Sequence, residues 1–150
     1  MSAARWIAEG FGLGRAPVAS GTVASAVAVL VGAGLLLLPA PVLWASIVLA
    51  TLGGVWAIRA AAITGDPGSV VIDEIAGQWL ALAGLARPGL VGLLLGFALF
   101  RLFDIAKPGP VGWADRRSGA WGVMGDDLIA GALAAVVLLG LRWVWPGWIG

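Results

Sequence analysis

Long uncharged stretches dominate the first part of this chain. Residues 16–58, between Arg15 and Arg59, carry no formal charge, whereas a helix that crosses the roughly 30 Å hydrocarbon core of a bilayer needs about 20 residues. The Pro-Ala-Pro segment at 39–41 interrupts this stretch near its middle, as expected of a tight turn between antiparallel helices. The pattern therefore predicts two membrane-crossing helices, at about residues 22–38 and 42–60.

After Arg59 the uncharged stretches become shorter. They cover 75–86, 88–100 and 128–141, and each can cross a bilayer only if its terminal charges lie at the interface, with arginine side chains reaching outward. A re-entrant hairpin at 75–100 is the alternative for the middle pair. The sequence therefore predicts three further helices, at about residues 71–86, 89–105 and 127–145.

The predicted fold class is all-α, a polytopic membrane bundle of about four to five transmembrane or re-entrant helices in one domain, 1–150. With the N terminus in the cytoplasm, only Arg87 and Arg142 among the basic residues lie outside, as the positive-inside tendency prefers. All acidic residues then also lie on the cytoplasmic side, although they contribute little to topology. We therefore expect one polar site at the cytoplasmic face. A homodimer is compatible with the thin bundle that 15.2 kDa can form.

The composition restricts the chemistry that this site can perform. The chain is 61% apolar and 11% charged, and it has neither Cys nor His, so disulfides, thiolate nucleophiles, imidazole bases and soft-metal ligands are excluded. A net charge of +1 without a basic run gives no indication of nucleic-acid binding. Any catalysis must therefore use carboxylates, hydroxyls and basic side chains.

Asp73 and Glu74 are adjacent acids inside a predicted helix that follows the Pro67-Gly68 turn. A carboxylate at mid-membrane costs about 2.5–3.5 kcal/mol on insertion scales, so such residues usually pair with cations or bind metal. The alternative is an ordinary interfacial charge at a helix end. We favour a functional site.

Arg101, Asp104 and Lys107 recur every three residues, which places them on one face of a helix. They can form a neutralising ladder with no further role. Basic side chains beside carboxylates are also what a phosphoryl-transfer site requires, because the cations bind phosphate oxygens and the acids hold a metal ion.

Asp126 and Asp127 are predicted to begin the last helix, where an acid interacts favourably with the helix dipole. This interaction accounts for only one of the two acids, because successive side chains on a helix point about 100° apart and cannot both face the same partner. The other can bind a metal, and ligands that are all oxygen favour a hard cation, with Mg²⁺ as the default. Six acids could serve one or two ions: Asp73, Glu74, Asp104, Asp115, Asp126 and Asp127.

Three motifs together resemble the phosphatidylglycerophosphatase A family of bacterial membrane phosphatases over nearly the whole chain. The first is the glycine-rich entry loop from Gly12 to Ser25, and the second is V-I-D-E-I-x-G-x-W-L at 71–80. The third and most specific is F-R-x-F-D-I-x-K-P-x-P at 100–110, followed by D-R-R and G-V-M-x-D-D-x-x-A-G. The chain departs from the usual pattern at Ser20, Ala24 and Ala120.

The resemblance implies Mg²⁺-dependent hydrolysis of phosphatidylglycerophosphate to phosphatidylglycerol and inorganic phosphate, at the cytoplasmic face of a bacterial inner membrane. The expected partners are this lipid and the surrounding membrane lipids. The principal alternative is a small cation or proton transporter that uses intramembrane carboxylates. The roles that we expect are metal binding for Asp73, Glu74, Asp104, Asp126 and Asp127, catalysis for all of these except Asp126, and substrate binding for Thr22, Arg101, Lys107 and Arg116.

Overall fold

The computed structural model describes residues 2–149, which form helices and connecting loops with no β-strand among them. The all-α prediction is therefore confirmed. A 3-10 segment, Gly10–Arg15, follows the first α-helix. In chain order the α-helices are α1 (Ala3–Ala8), α2 (Ser20–Leu35), α3 (Ala40–Ala60), α4 (Ile72–Leu82), α5 (Leu90–Ala106), α6 (Pro110–Asp115), α7 (Ala120–Val144) and α8 (Pro146–Ile149).

Two helices, α3 and α7, are long and apolar enough to span a membrane, with 21 and 25 residues and mean hydropathies of 1.8 and 1.9. Their outer surfaces expose large apolar side chains, among them Leu49 and Val136, as expected of helices in contact with lipid. The apolar helix α2 is shorter, at 16 residues. Two membrane-spanning candidates thus stand where the sequence predicted four to five transmembrane or re-entrant helices.

The last long helix begins earlier than predicted. We expected it to begin at Asp127, but α7 begins at Ala120, so this boundary was wrong. Gly122 and Gly125 made the segment before Asp126 look like a loop, because glycine has a low helix propensity. The loop before α7 explains Gly122, since a Cβ there would lie 1.8 Å from the carbonyl oxygen of Arg117, whereas a Cβ on Gly125 would make only an ordinary contact with Ala114.

Helix α4 lies at the centre of the bundle, packed against α2, α3, α5 and α7. Its closest approach is to α7, where a Cβ on Gly131 would lie 2.2 Å from the carbonyl oxygen of Gly77. A Cβ on Gly77 would in turn lie 2.6 Å from the carbonyl oxygen of Asp127. Small residues at a helix interface let backbones approach closely. These glycines therefore bring the acidic part of α7 next to the acidic end of α4.

The N-terminal helix α1 and the 3-10 segment cover the beginning of α4. The amide of Val71 donates a hydrogen bond to the carbonyl oxygen of Ala8 at 3.0 Å. The N-cap residue of α2 is Ala19, and no side chain caps this helix. The hydroxyl of Ser20 instead donates to the carbonyl oxygen of Gly68, which ties α2 to the loop before α4.

Candidate active site

Five of the six candidate carboxylates form two groups that share one residue. In the first group, Asp73, Glu74 and Asp127 each place a carboxylate oxygen within 4.8 Å of the others. In the second, Asp104 and Asp126 do the same with Asp127. These acids come from α4, α5 and α7, far apart in sequence, so tertiary packing creates a single acidic centre around Asp127.

Asp126 and Asp127 lie beyond the first turn of α7, because that helix begins at Ala120. The interpretation of these acids as residues at the helix start is therefore wrong, since the dipole effect is confined to the first and last turns. Both side chains are buried, with 4% and 3% of their surface exposed. Carboxylates in such a position require cationic or metal partners.

Arg101 and Asp104 form an ion pair three residues apart on α5, as the sequence pattern predicts. The same guanidinium donates to the hydroxyl of Thr22 at 3.4 Å, which links α5 to α2. A Cβ on Gly21 would lie 2.1 Å from Oε1 of Glu74 and 3.5 Å from Nη1 of Arg101. The start of α2 is therefore in close contact with both an acid and a base of the site.

Lys107 does not share the helical face of Arg101 and Asp104, and this part of the ladder interpretation is wrong. It follows the last residue of α5 in a left-handed conformation, with φ of 46°. Its ammonium donates to Asp115 and, at 2.6 Å, to Asp126. Burial alone would lower the pKa of Lys107, but its hydrogen bonds to Asp115 and Asp126 raise the pKa above its usual value. Lys107 therefore remains charged.

Several buried polar atoms in this region have no hydrogen-bond partner among residues 2–149. They include Oε2 of Glu74, Oδ1 of Asp126 and Nε of Arg101. Leaving such atoms unsatisfied costs about 1–3 kcal/mol each, so a ligand is expected to contact them. The two carboxylate groups fit a hard divalent cation, because their ligand atoms are all oxygens that lie close enough together to share an ion.

Two further residues bear on the site: Arg116, which the sequence predicted, and Gln78, which it did not. Arg116 is exposed, and its side chain makes no hydrogen bond or ion pair within the described part of the chain. The sequence analysis did not single out Gln78, which is fully buried with both amide atoms unpartnered. Gln78 follows Glu74 by four residues on α4 and so shares its face. Helical spacing from Glu74 was the signal that could have found it.

Asp66 was also missed. It lines a polar pocket together with Asp126 and Arg117. Partial burial, followed by repulsion from Asp126, raises the pKa of Asp66. Its position in a loop gave no periodicity from which proximity to Asp126 could be predicted.

The phosphatidylglycerophosphatase A family model matches residues 6–142, which include both carboxylate groups. The chain belongs to this family. The resemblance drawn from its motifs is thereby confirmed, and the family motifs at 71–80 and 100–110 supply Asp73, Glu74 and Asp104 to the acidic centre.

Three relatives whose names state an activity match between 52% and 93% of this chain. A protein of Escherichia coli strain K12 named phosphatidylglycerophosphatase A is 33% identical over 144 residues, covering 93% of this chain and 84% of that protein. A Bacteroides thetaiotaomicron protein named putative phosphatidylinositol-3-phosphatase is 39% identical over 149 residues, covering 92% of each. The phosphatidylglycerophosphatase A of Haemophilus influenzae is 37% identical over 79 residues, or 52% of this chain and 48% of that protein. No solved structure matches the chain.

Proposed function

We propose that this protein is a phosphatidylglycerophosphatase, which hydrolyses the terminal phosphate monoester of phosphatidylglycerophosphate to give phosphatidylglycerol and inorganic phosphate. Membership of the family over residues 6–142 carries this conclusion. The two carboxylate groups around Asp127 support it, because phosphoryl transfer depends on positioned charge rather than on a specialised nucleophile.

The cofactor that we propose is Mg²⁺. Asp73 and Glu74 with Asp127, and Asp104 and Asp126 with the same Asp127, are the residues that would hold it. A bound divalent cation would activate water and offset the charge of the phosphoryl group. The absence of His and Cys supports an oxygen-liganded cation.

The basic and hydroxyl groups are proposed to bind the phosphate oxygens. Arg101, beside Thr22, and Lys107 lie next to the acidic centre and present charged donors. Arg116 lies on the adjoining exposed segment and is proposed to contact the headgroup as it arrives.

In the proposed reaction, water attacks phosphorus and the bond from phosphorus to the glycerol oxygen breaks. The leaving oxygen takes up a proton, and a carboxylate accepts the proton of the attacking water. Asp73, Glu74 and Asp127 are the candidates for that acceptor, because none of the three forms an ion pair with a described basic side chain. An aspartyl-phosphate intermediate is the alternative route, and trapping of a phosphoenzyme with labelled substrate would distinguish it.

We further propose that the chain forms one multi-pass domain in the bacterial inner membrane, with the acidic centre at the cytoplasmic face. The apolar helices and the distribution of basic residues support this orientation. The convergence of carboxylates at one end of the bundle favours hydrolysis over a cation or proton pathway, which would distribute acids across the membrane depth.

The test is phosphate release from phosphatidylglycerophosphate in detergent micelles, with and without Mg²⁺, by the wild type, Asp73→Asn and Asp127→Asn. Loss of outer partners of a metal ligand already costs about 10–100-fold, so we expect each variant to lose more than about 100-fold. Glu9→Gln is the matched control, because Glu9 is a buried acid outside both groups. Mg²⁺ should also raise the melting temperature of the wild type but not of Asp127→Asn.

Phosphatidylinositol 3-phosphate should be assayed in parallel, because one relative carries that name. Well-folded wild-type protein that releases phosphate from neither lipid would refute the phosphatase proposal and return attention to transport. Release that is independent of Mg²⁺ and retained in both variants would refute the metal site alone.

A further inference from the structure

Two pockets lead away from the acidic centre. The first, which we call the inner pocket, has a volume of about 150 Å³ and is lined by Asp66, Arg117, Ser118, Gly119 and Asp126 among others. Asp126 also belongs to one of the carboxylate groups, and its buried Oδ1 atom has no partner. The inner pocket therefore adjoins the acidic centre directly.

The second, the outer pocket, has a volume of about 330 Å³ and shares Ser118 and Gly119 with the inner pocket. Its other walls include Ile58 and Arg59 at the end of α3 and Trp121 at the beginning of α7. These are the two helices that can span a membrane. The two pockets thus form a path from the acidic centre to the end of α3 and the beginning of α7.

The charge along this path changes sign. The inner end has the carboxylates of Asp66 and Asp126, whereas the outer pocket has Arg59. Arg59 is exposed and has no ion-pair partner among residues 2–149. Ala120 and Trp121, the first two residues of α7, also line this pocket, and helix N-termini favour anions. An anionic group is therefore favoured in the outer pocket.

The inner pocket, with a volume of about 150 Å³, has room for the three-carbon glycerol unit that joins the two phosphates. Asp66 and Ser118 provide partners for the hydroxyl groups of such a polyol.

We propose that the outer pocket binds the phosphodiester of the lipid headgroup through Arg59, while the inner pocket holds the glycerol that joins it to the phosphate monoester. This inference rests on the proposed function. It lets the acyl chains leave the outer pocket toward lipid beside the end of α3 and the beginning of α7. It also gives the protein a means to select lipids that carry both a phosphodiester and a phosphate monoester over phosphatidate, which has no phosphodiester.

The experiment compares the wild type with Arg59→Gln and Arg59→Lys. Hydrolysis of phosphatidylglycerophosphate should show a KM about tenfold higher in Arg59→Gln with kcat nearly unchanged, because the phosphodiester contact is present in both substrate and transition state. Arg59→Lys should recover part of this loss. Arg87→Gln is the control, since Arg87 is an exposed arginine in the connection between α4 and α5, remote from both pockets.

Equilibrium binding of phosphatidylglycerol, which retains only the phosphodiester, gives a readout that is independent of catalysis. We expect binding to weaken about tenfold in Arg59→Gln and to remain unchanged in Arg87→Gln, while inhibition by inorganic phosphate stays the same in all variants. Thr64→Trp, which places a bulky side chain in the wall of the outer pocket, should have the same effect as Arg59→Gln.

Equal phosphatidylglycerol binding by the wild type and Arg59→Gln, with hydrolysis intact, would overturn the subsite and leave the proposed function standing. A weakening of equal size in Arg87→Gln would also overturn it, because the effect would then reflect general surface charge. Absence of hydrolysis by the wild type would instead overturn the proposed function, whatever the binding result.

Discussion

At the scale of single residues, the buried acid Glu9 is paired with two arginines close to it in the chain. Glu9, 4% exposed, accepts hydrogen bonds from Arg5 at 2.8 Å and from Arg15 at 2.9 Å. Arg15 also lies over the ring of Trp6, 5.7 Å from its centroid. These contacts fix the turn that leads from α1 into the 3-10 segment. They thereby keep the 3-10 segment packed against the start of α4.

The pH dependence of stability should report on Glu9. Hydrogen bonds from Arg5 and then Arg15 lower the pKa of Glu9 below its ordinary value of 4.5. Ionised Glu9 therefore stabilises the fold above that value, and the contribution is lost as the pH falls through the lowered pKa of the folded state. Glu9→Gln should melt at a lower temperature than the wild type at pH 7, and the difference should shrink in acid.

Thermal unfolding in detergent, monitored by circular dichroism from pH 7 to pH 3, measures this difference. A gap in melting temperature that is the same at every pH would contradict the role of the Glu9 charge and would indicate a packing effect only.

At the scale of the elements, glycines decide which helices meet and how closely. Gly77 and Gly131 let α4 and α7 approach until a Cβ on either would overlap backbone of the other helix. In contrast, Gly53 on α3 lines an apolar groove of about 640 Å³, and a Cβ there would meet nothing within 4 Å. Glycines of similar appearance in the sequence thus have opposite structural roles.

Replacing each of these two glycines by alanine gives a matched comparison. Gly131→Ala should lower the free energy of unfolding by about 1–3 kcal/mol, because overpacking forces the helices apart. It should also reduce activity, since Asp127 would move away from Asp73 and Glu74. Gly53→Ala should be neutral or stabilise by about 0.5–1 kcal/mol, because alanine is the better helix former.

Melting temperatures and phosphate release for both variants check this prediction. If Gly131→Ala were as stable and active as Gly53→Ala, the close contact between α4 and α7 would not be what assembles the acidic centre.

At the scale of the whole molecule, helix lengths allow a testable prediction of how the bundle lies in the membrane. Helix α4 has 11 residues, so at 1.5 Å per residue it is roughly 16 Å long and shorter than the roughly 30 Å hydrocarbon core. Helices α4 and α5 make up the segment at 75–100. For this segment the sequence allowed either two membrane crossings or a re-entrant hairpin. The position of Arg87, in the connection between α4 and α5, distinguishes the two.

Single cysteines can locate both ends, because the natural chain contains no Cys. We expect Ser118→Cys, exposed beside the acidic centre, to react with a membrane-impermeant maleimide only from the cytoplasmic side. Arg87→Cys should react only from the opposite side if α4 and α5 cross the membrane. Protection of Arg87→Cys from both sides would indicate a re-entrant hairpin, and labelling of Ser118→Cys from outside would refute the proposed orientation.

The sequence by itself determined the helical class, the approximate extent of most long helices, the restriction to carboxylate chemistry and the family. Each follows from local composition or from residues close together in a motif: uncharged stretches indicate helices in lipid, and the lack of His and Cys leaves oxygen ligands. The start of α7 was the exception, because the low helix propensity of Gly122 and Gly125 made this segment look like a loop.

Only the tertiary structure decided which acids share a group, that Asp127 belongs to both, and that Lys107 pairs with Asp115 and Asp126. It alone brought Arg59 and Asp66 onto one path to the acidic centre. The physical reason is that helical periodicity specifies a face but not the neighbour that this face meets. That neighbour depends on how closely the backbones can approach, which the contacts of Gly77 and Gly131 determine in three dimensions.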